Sequence, residues 1–431
     1  MVTIVGKSWD LHVSDVLGIS LDENLDLIHD TIAYLKEKNR EVIFDAEHFF
    51  DGFKANPAYA LKTLDAAQTA GAHILVLCDT NGGSMPDDIG ARLKQAKSQR
   101  AVPLGIHTHN DCGLALANAL IAVSSGATLV QGTINGYGER CGNADLVTVI
   151  GNLQLKMGYP CVPEESLGQL TEMSRFVSEV ANITPFNQRP FVGKSAFAHK
   201  GGVHVSAMMK QPSAYEHIRP EAVGNRRRVV VSDLSGKSNI EYKSREMGIE
   251  LGGNGFDSET IVREIKRLED EGYQFDAAEG SLELLIRRVT GQFKDPFALQ
   301  SFRVTTEKDG SKESTSQATI KINVGEDNEI TAAEGDGPVN ALDNALRKAL
   351  AKFYPQIREM GLVDFKVRVI DGRKATAAKV RVQIESRDKK EIWTTIGVSE
   401  NVLEASWQAL VDSVHYKLLK EVQGLGDKKP A

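Results

Sequence analysis

The chain has 431 residues, 41% hydrophobic and 25% charged, which excludes a disordered polypeptide and predicts a soluble globular protein of two or three domains. A formal net charge of −7 and a pI near 5.9 exclude a dominant basic face, so no nucleic acid and no membrane is expected as a partner. Cys78, Cys112, Cys141 and Cys161 form no CxxC pair, and the start lacks a signal-like apolar core, so reduced thiols and a cytoplasmic location are expected.

In chain order, a strand is predicted at Val2–Val5. Leu21, Leu25, Ile28, Ile32 and Leu35, in steps of four and three, predict a helix over Asp22–Lys38. Val42–Phe44 is a short strand running into Asp45, Glu47 and His48. Pro57 opens a helix carried by Leu61 and Leu64 and closed by Gly71. Ile74–Leu77 ends in CDTNGG, and a helix follows Pro86. Strand Val102–Ile106, helix Leu114–Ser124 and strand Thr128–Gln131 continue the alternation.

Strands recurring about every thirty residues, each ending in polar side chains, match an incomplete (β/α)8 TIM barrel. Five strands are counted, and a sixth is allowed near Asp145 to Leu153. A doubly wound open sheet competes, but GKSWD is a poor phosphate turn after its first strand. In a barrel Asp45, Glu47, Asp79, Thr80, His107, His109 and Thr133 would converge on one mouth. His107 and His109, in GIHTHNDCGLALAN, are two apart on a strand end and share a face. They can hold one cation or act as hydrogen-bonded surface groups.

Beyond Gly158 the pattern loosens into a helix at Leu167–Val180, FVGKSAFAHKGGVHVSA and a Gly-rich charged segment. This stretch reads as an accessory subdomain or a long helical connector. Its basic run, Arg226 to Arg228, is a solvated face or a contact for a phosphate-bearing coenzyme. The last third gives strands Phe302–Thr306, Ala318–Val324 and Asn328–Ala332 with a helix, then Phe365–Ile370, Lys379–Ile384 and Glu391–Val398 with another. The two helices share Val339, Ala341, Ala345 and Leu346 with Leu403, Ala405, Ala409 and Leu410, predicting an α+β domain of two βββα units for effector binding or dimerisation. The expected boundaries are a partial barrel over 1–160, an accessory subdomain over 161–290 and a regulatory domain over 291–425.

GIHTHNDCGLALAN followed by GTINGYGERCGNA resembles the paired signatures of the 2-isopropylmalate, homocitrate and citramalate synthases, metal-dependent barrels that condense acyl-CoA with keto acids. FVGKSAFAHKGGVHVSA, YEHIRP, LSGKSN and GDGPVNAL resemble the same family in the same order. GKSWDLHV, DAEHFFDG and CDTNGG look most like the citramalate branch. The resemblance implies acetyl-CoA and pyruvate as substrates, with 2-isopropylmalate and homocitrate synthesis as the neighbouring activities. It implies a divalent metal (Mg, Mn or Zn) on His107, His109 and Asn143, and keto-acid contacts from Glu47 and Thr80, with Asp45 and Thr133 beside them. It implies that His204 and Tyr215 enter the active site of the partner in a homodimer and help deprotonate acetyl-CoA. Gly335 and Gly337 match a turn that binds a feedback amino acid, by resemblance isoleucine.

The chain departs from the family in having no DTTLRDG-like first strand, whose Arg and Asp would steady charge and complete the metal site. By the resemblance, Met1 is expected to fall at what would be the third strand, with about two βα units, on the order of sixty or more residues, absent before it. A weak or inactive catalyst is therefore expected. The readings left open are a misassigned start, a split enzyme, and a noncatalytic amino-acid-sensing subunit.

Overall fold

The computed structural model describes residues 1–231, 235–251, 258–310, 313–370, 378–389 and 391–426; Leu234 of LSGKSN lies outside them. The chain divides into two compact units, Met1–Phe197 with Glu216–Arg227, and Ala198–Tyr215 with Arg228–Ala431.

The first unit alternates strand and helix: β1 (Val2–Lys7), α1 (Leu21–Glu37), β2 (Val42–Glu47), α2 (Phe49–Ala55), α3 (Pro57–Thr69), β3 (Ile74–Asp79), α4 (Pro86–Ser98), β4 (Leu104–Thr108), α5 (Ala115–Ser124), β5 (Leu129–Gln131), α6 (Leu146–Leu155), α7 (Glu164–Leu167) and α8 (Leu170–Val180). The local signals act as expected. Ser20 caps α1 by accepting from the Glu23 amide at 3.2 Å, and Asn56 caps α3 ahead of Pro57 by accepting from the Tyr59 amide at 3.2 Å.

β1 to β5 form one parallel sheet in sequential order, as in a barrel and unlike a doubly wound sheet, whose order reverses about a switch point. Side-chain alternation divides each strand between two faces. Phe44, Ala46, Leu75, Leu77, Leu104 and Ile106 pack outward with Leu64, Ala67, Ile89 and Leu93 of the surrounding helices. Ile43, Val76 and Cys78 pack together on the other face, beside Ile74 and Leu129. Asp45, His107 and Gln131 share that inner face, nearer the strand ends.

The sheet is strongly curled. Asp45 on β2 and Gln131 on β5 are three strands apart, about 14 Å in a flat sheet, yet their side chains are hydrogen-bonded at 2.9 Å. Neighbouring strands therefore close around a common interior, as barrel staves do.

One expected strand is a helix. Asp145 to Leu153 forms the cap and most of α6, with the Asp145 carboxylate accepting from the Val147 amide at 3.1 Å. An apolar run such as LVTVIGNL suits a buried helix or a buried strand equally by composition, and the cap decides it. Only the isolated bridges His109–Asn143 and Thr133–Asp145 extend the pairing there. α2 and a π-helical turn at His12–Leu17, closed by Gly18 in the left-handed region, are among the elements that lacked a periodic signal.

The second unit contains β6 (Ala198–His199), α9 (Gly202–Lys210), β7 (Arg228–Val229), α10 (Lys237–Glu246), α11 (Ser258–Glu271) and α12 (Glu279–Val289). Then follow β8 (Ala298–Glu307), β9 (Thr315–Val324), β10 (Asp327–Gly335), α13 (Pro338–Leu350), β11 (Gly361–Val369), β12 (Val380–Arg387), β13 (Ile392–Ser399) and α14 (Val402–Gly426). β8 to β10 and β11 to β13 are two antiparallel three-stranded sheets, each followed by its helix, as the tandem βββα pattern predicts. They share one core in which the paired Ala341, Ala345 and Leu346, and Ala405, Ala409 and Leu410, are all buried. Full burial of each leucine contributes about 1.5–3 kcal/mol, and the alanines let helix and sheet approach closely. Among the described residues no helix is long and apolar enough to cross a membrane.

Candidate active site

The polar ends of β2 to β5 and the loops after them form the candidate site of the first unit. His107 is anchored from behind: its Nδ1 lies 2.9 Å from Gln131 Oε1, while Gln131 Nε2 donates to Asp45 Oδ1 at 2.9 Å. A carboxylate only accepts, so the amide oxygen of Gln131 is left to face the imidazole. His107 is therefore protonated at Nδ1, and its Nε2 lone pair points away from the anchor.

That lone pair has two neighbours, His109 Nε2 at 3.3 Å and Asn143 Nδ2 at 3.1 Å. Burial, followed by the charges of His107 and Arg140, holds the pKa of His109 below the ordinary histidine value. Its buried Nδ1 has no hydrogen-bond partner among the described residues.

Three polar groups thus crowd one point. The fit to a cation is good: turning the Asn143 amide over would set its oxygen beside two neutral imidazole nitrogens, a mixed N/O donor set suited to divalent ions. The described residues contain no cluster of three His, Cys, Asp or Glu side chains able to hold a metal, so an amide would have to serve as the third donor.

The GYGERCGN loop carries Asn143 to this point. Its backbone is held by Asn143 N to Gly136 O at 3.1 Å and Ala144 N to Thr108 O at 3.0 Å. Gly142 has φ +92°, and a Cβ there would lie 2.1 Å from Gly136 O; a Cβ on Gly138 would lie 1.9 Å from Asn143 Oδ1. Gly142 is therefore required by the backbone geometry, while the absence of a side chain at Gly138 leaves room for the Asn143 amide. Arg140 locks the loop by donating from Nε and Nη2 to Asp111 at 2.7 and 2.9 Å and to the Thr80 carbonyl at 2.7 Å.

The remaining residues are placed as follows. Glu47 ends β2 and forms an ion pair with Lys7, its register partner on β1. Thr80 Oγ1 accepts from the His48 amide at 2.8 Å, and His48 sits in the left-handed region at φ +55°. Thr133 donates its hydroxyl proton to the Tyr137 carbonyl at 2.5 Å. Asp45 is buried, which raises its pKa above the ordinary carboxylate value, and its acceptor bond to Gln131 opposes that rise. Cys78 is also buried, and burial pushes its thiol well up, leaving it a core group rather than a nucleophile. In the basic run, Arg227 makes a two-pronged ion pair with Glu216.

His204 and Tyr215 belong to the second unit, where α9 and the turn at Pro212–Ala214 bring their rings to 4.5 Å. Both are exposed. Gly335 ends β10 against the start of α13, where a Cβ would meet the Ala341 amide nitrogen at 2.4 Å, and Gly337 caps α13.

The residue-by-residue reading missed Gln131, Arg140 and Lys7 as parts of the site. Gln131 was detectable by the rule that exposed His107, since it is a polar residue ending an apolar strand. Arg140 and Lys7 act through pairs that only the fold brings together.

A sequentially ordered, curled parallel sheet with its polar groups gathered at the strand ends defines a (β/α)-barrel enzyme. The chain matches the HMGL-like family over residues 1–177, the homocitrate synthase post-HMGL domain-like family over 191–273 and the LeuA allosteric (dimerisation) domain over 276–418. It is 54% identical over 428 residues to the (R)-citramalate synthase of Geobacter sulfurreducens, covering 99% of this chain and 81% of that protein. It is 54% identical over 424 residues to the (R)-citramalate synthase of Aquifex aeolicus, covering 98% and 80%. The 2-isopropylmalate synthase of Methanocaldococcus jannaschii is 32% identical over 412 residues, covering 95% and 76%. The chain belongs to the (R)-citramalate synthase family.

Proposed function

We propose that the chain joins the methyl carbon of acetyl-CoA to the keto carbon of pyruvate and, with water, yields (R)-citramalate and free CoA in isoleucine biosynthesis. The observation that carries this reading is the 54% identity to (R)-citramalate synthases over 99% of the chain. The reaction is an acyl transfer in which the acyl group becomes alkyl.

The chemistry assigns roles to the groups at the strand ends. His107, His109 and Asn143 would hold a divalent cation, which draws electron density from the keto group and offsets the charge growing on its oxygen. Thr80 and Thr133 border the keto acid with Asp45 beside them, and Glu47, paired with Lys7, supplies a carboxylate at the same mouth. The acetyl methyl must lose a proton before its carbon can attack, which requires a base within hydrogen-bond reach. His204 and Tyr215, with their rings side by side, supply that proton transfer from the accessory segment of one protomer to its partner's mouth in a homodimer. The alkoxide takes up a proton, and hydrolysis of the thioester releases the CoA thiol.

The barrel, accessory and regulatory parts are assigned to 1–160, 161–290 and 291–425. The turn at Gly335 and Gly337 is assigned to the feedback amino acid, isoleucine.

A free-thiol release assay with acetyl-CoA and a divalent metal, comparing pyruvate, 2-ketoisovalerate and 2-oxoglutarate, tests this function. Preference for pyruvate is expected, and preference for a larger acid moves the chain to a neighbouring activity. Isoleucine binding without metal binding or thiol release would make it a noncatalytic sensor.

A further inference from the structure

We infer that Gln131, anchored by Asp45, is a positioning residue that selects which ring nitrogen of His107 faces the mouth, and thereby sets how tightly the site holds a divalent cation. The inference rests on the proposed role of His107 as a ligand. It concerns two residues that touch neither the cation nor the reacting atoms.

The polarity of the relay carries the argument. Asp45 accepts from Gln131 Nε2 at 2.9 Å, which commits both faces of the amide: nitrogen toward Asp45, oxygen toward His107 Nδ1, also at 2.9 Å. The imidazole answers with Nδ1–H, so Nε2 keeps its lone pair toward His109 and Asn143. Reversing the amide would point an N–H at Nδ1, shift the ring proton to Nε2 and remove the ligand lone pair. The curl of the sheet makes this selection possible, because Asp45 reaches Gln131 only across the barrel interior. The geometry also assigns Asp45 the anchoring of Gln131, in place of direct contact with the keto acid.

Four variants in the full chain test the relay. Gln131→Met removes the acceptor with little change in volume. Asp45→Ala frees the amide to turn. The double variant Asp45→Asn with Gln131→Glu exchanges amide and carboxylate, conserving charge while again presenting an oxygen to Nδ1–H. His107→Ala identifies the ring in question. The first readout uses the metal-free protein: nitrogen-15 NMR of labelled histidines, with the His107 signals assigned by their loss in His107→Ala. The second is Mn2+ affinity, from the EPR signal of the free ion, with near-UV circular dichroism as the check of folding.

Wild type is expected to show His107 protonated at Nδ1. Gln131→Met and Asp45→Ala should move the proton toward Nε2 and weaken Mn2+ binding about 10- to 100-fold. The double variant should restore the wild-type ring form and bring affinity to within about threefold of wild type, a rescue that a purely packing role for these residues would not produce. Wild-type ring form and affinity in folded Gln131→Met would overturn the inference. Undiminished Mn2+ binding by His107→Ala would instead overturn the ligand role of His107, leaving the ring form to judge the relay alone.

Discussion

Gln131 donates to Asp45 at 2.9 Å across an interior that places β2 and β5 three strands apart, joining residues 86 positions apart in sequence. This bond relates the curvature of the sheet to the chemistry of its mouth. Were the sheet flat, Asp45 would face empty space and Gln131 would be free to turn either way. In the curled sheet each fixes the other, and His107 inherits a defined orientation before any ligand arrives.

Gly138 and Gly142 make separable predictions. In Gly138→Ala the added carbon would sit 1.9 Å from Asn143 Oδ1, so the amide must leave its place beside His107. Gly138 is exposed, so stability should change by no more than about 0.5 kcal/mol while Mn2+ affinity falls about tenfold or more. Gly142→Ala meets both a positive φ and the Gly136 carbonyl at 2.1 Å, and should cost about 1–3 kcal/mol in urea unfolding. Unchanged affinity in the first variant would remove Asn143 from the donor set.

Tyr215→Phe keeps the ring beside His204 and deletes the hydroxyl. Turnover should fall by about 10²- to 10⁴-fold, the range for losing an acid–base group, with the KM for pyruvate nearly unchanged. A large rise in that KM with intact turnover would assign Tyr215 to keto-acid binding instead.

The second unit buries a titratable group with a signed consequence. His415 lies against Phe293 and Phe297, its Nδ1 accepting from Arg288 at 2.9 Å, with Asp295 at 3.3 Å and Asp412 also paired to Arg288. Burial, opposed by Asp295 and reinforced by Arg288, lowers its pKa from 6.5 to about 3. The unfolded chain therefore binds this proton first. Its contribution to stability is complete above pH 6.5 and is lost as pH falls toward about 3, at a slope of about 1 kcal/mol per pH unit. His415→Gln, which keeps an acceptor for Arg288, should flatten this limb in urea titrations between pH 6.5 and 4, and an unchanged slope would contradict the assignment.

The two βββα units predict matched costs. Leu346 and Leu410 occupy equivalent helix positions in one shared core and are both buried. Leu346→Ala and Leu410→Ala should each destabilise by about 2–5 kcal/mol. A cost below 1 kcal/mol for either would show that its side of the core yields around the cavity.

The sequence made the regular parts of the fold legible wherever a period was sustained. α1 and the six sheet strands of the second unit were visible because burial on one face imposes period 3.6 or 2 on the residues themselves, and the five strands of the first unit showed as short apolar runs ending in polar residues. The region from Asp145 to Leu153 was misread because a buried apolar run has no period of its own. His107 and His109 showed their shared face by spacing alone. The relay to Asp45 was invisible, since nothing in the chain records how far the sheet curls. Arg140 bonding to both Asp111 and the Thr80 carbonyl likewise depends on three loops meeting after three different strands.

Carbon-13 NMR of the reaction itself tests the central proposal most directly. The chain is incubated with acetyl-CoA, a divalent metal and pyruvate labelled at its keto carbon. The keto signal should give way to that of the tertiary alcohol carbon of citramalate, with the R product identified by chiral chromatography. A keto signal that persists with pyruvate, while labelled 2-ketoisovalerate or 2-oxoglutarate is consumed under the same conditions, would contradict it.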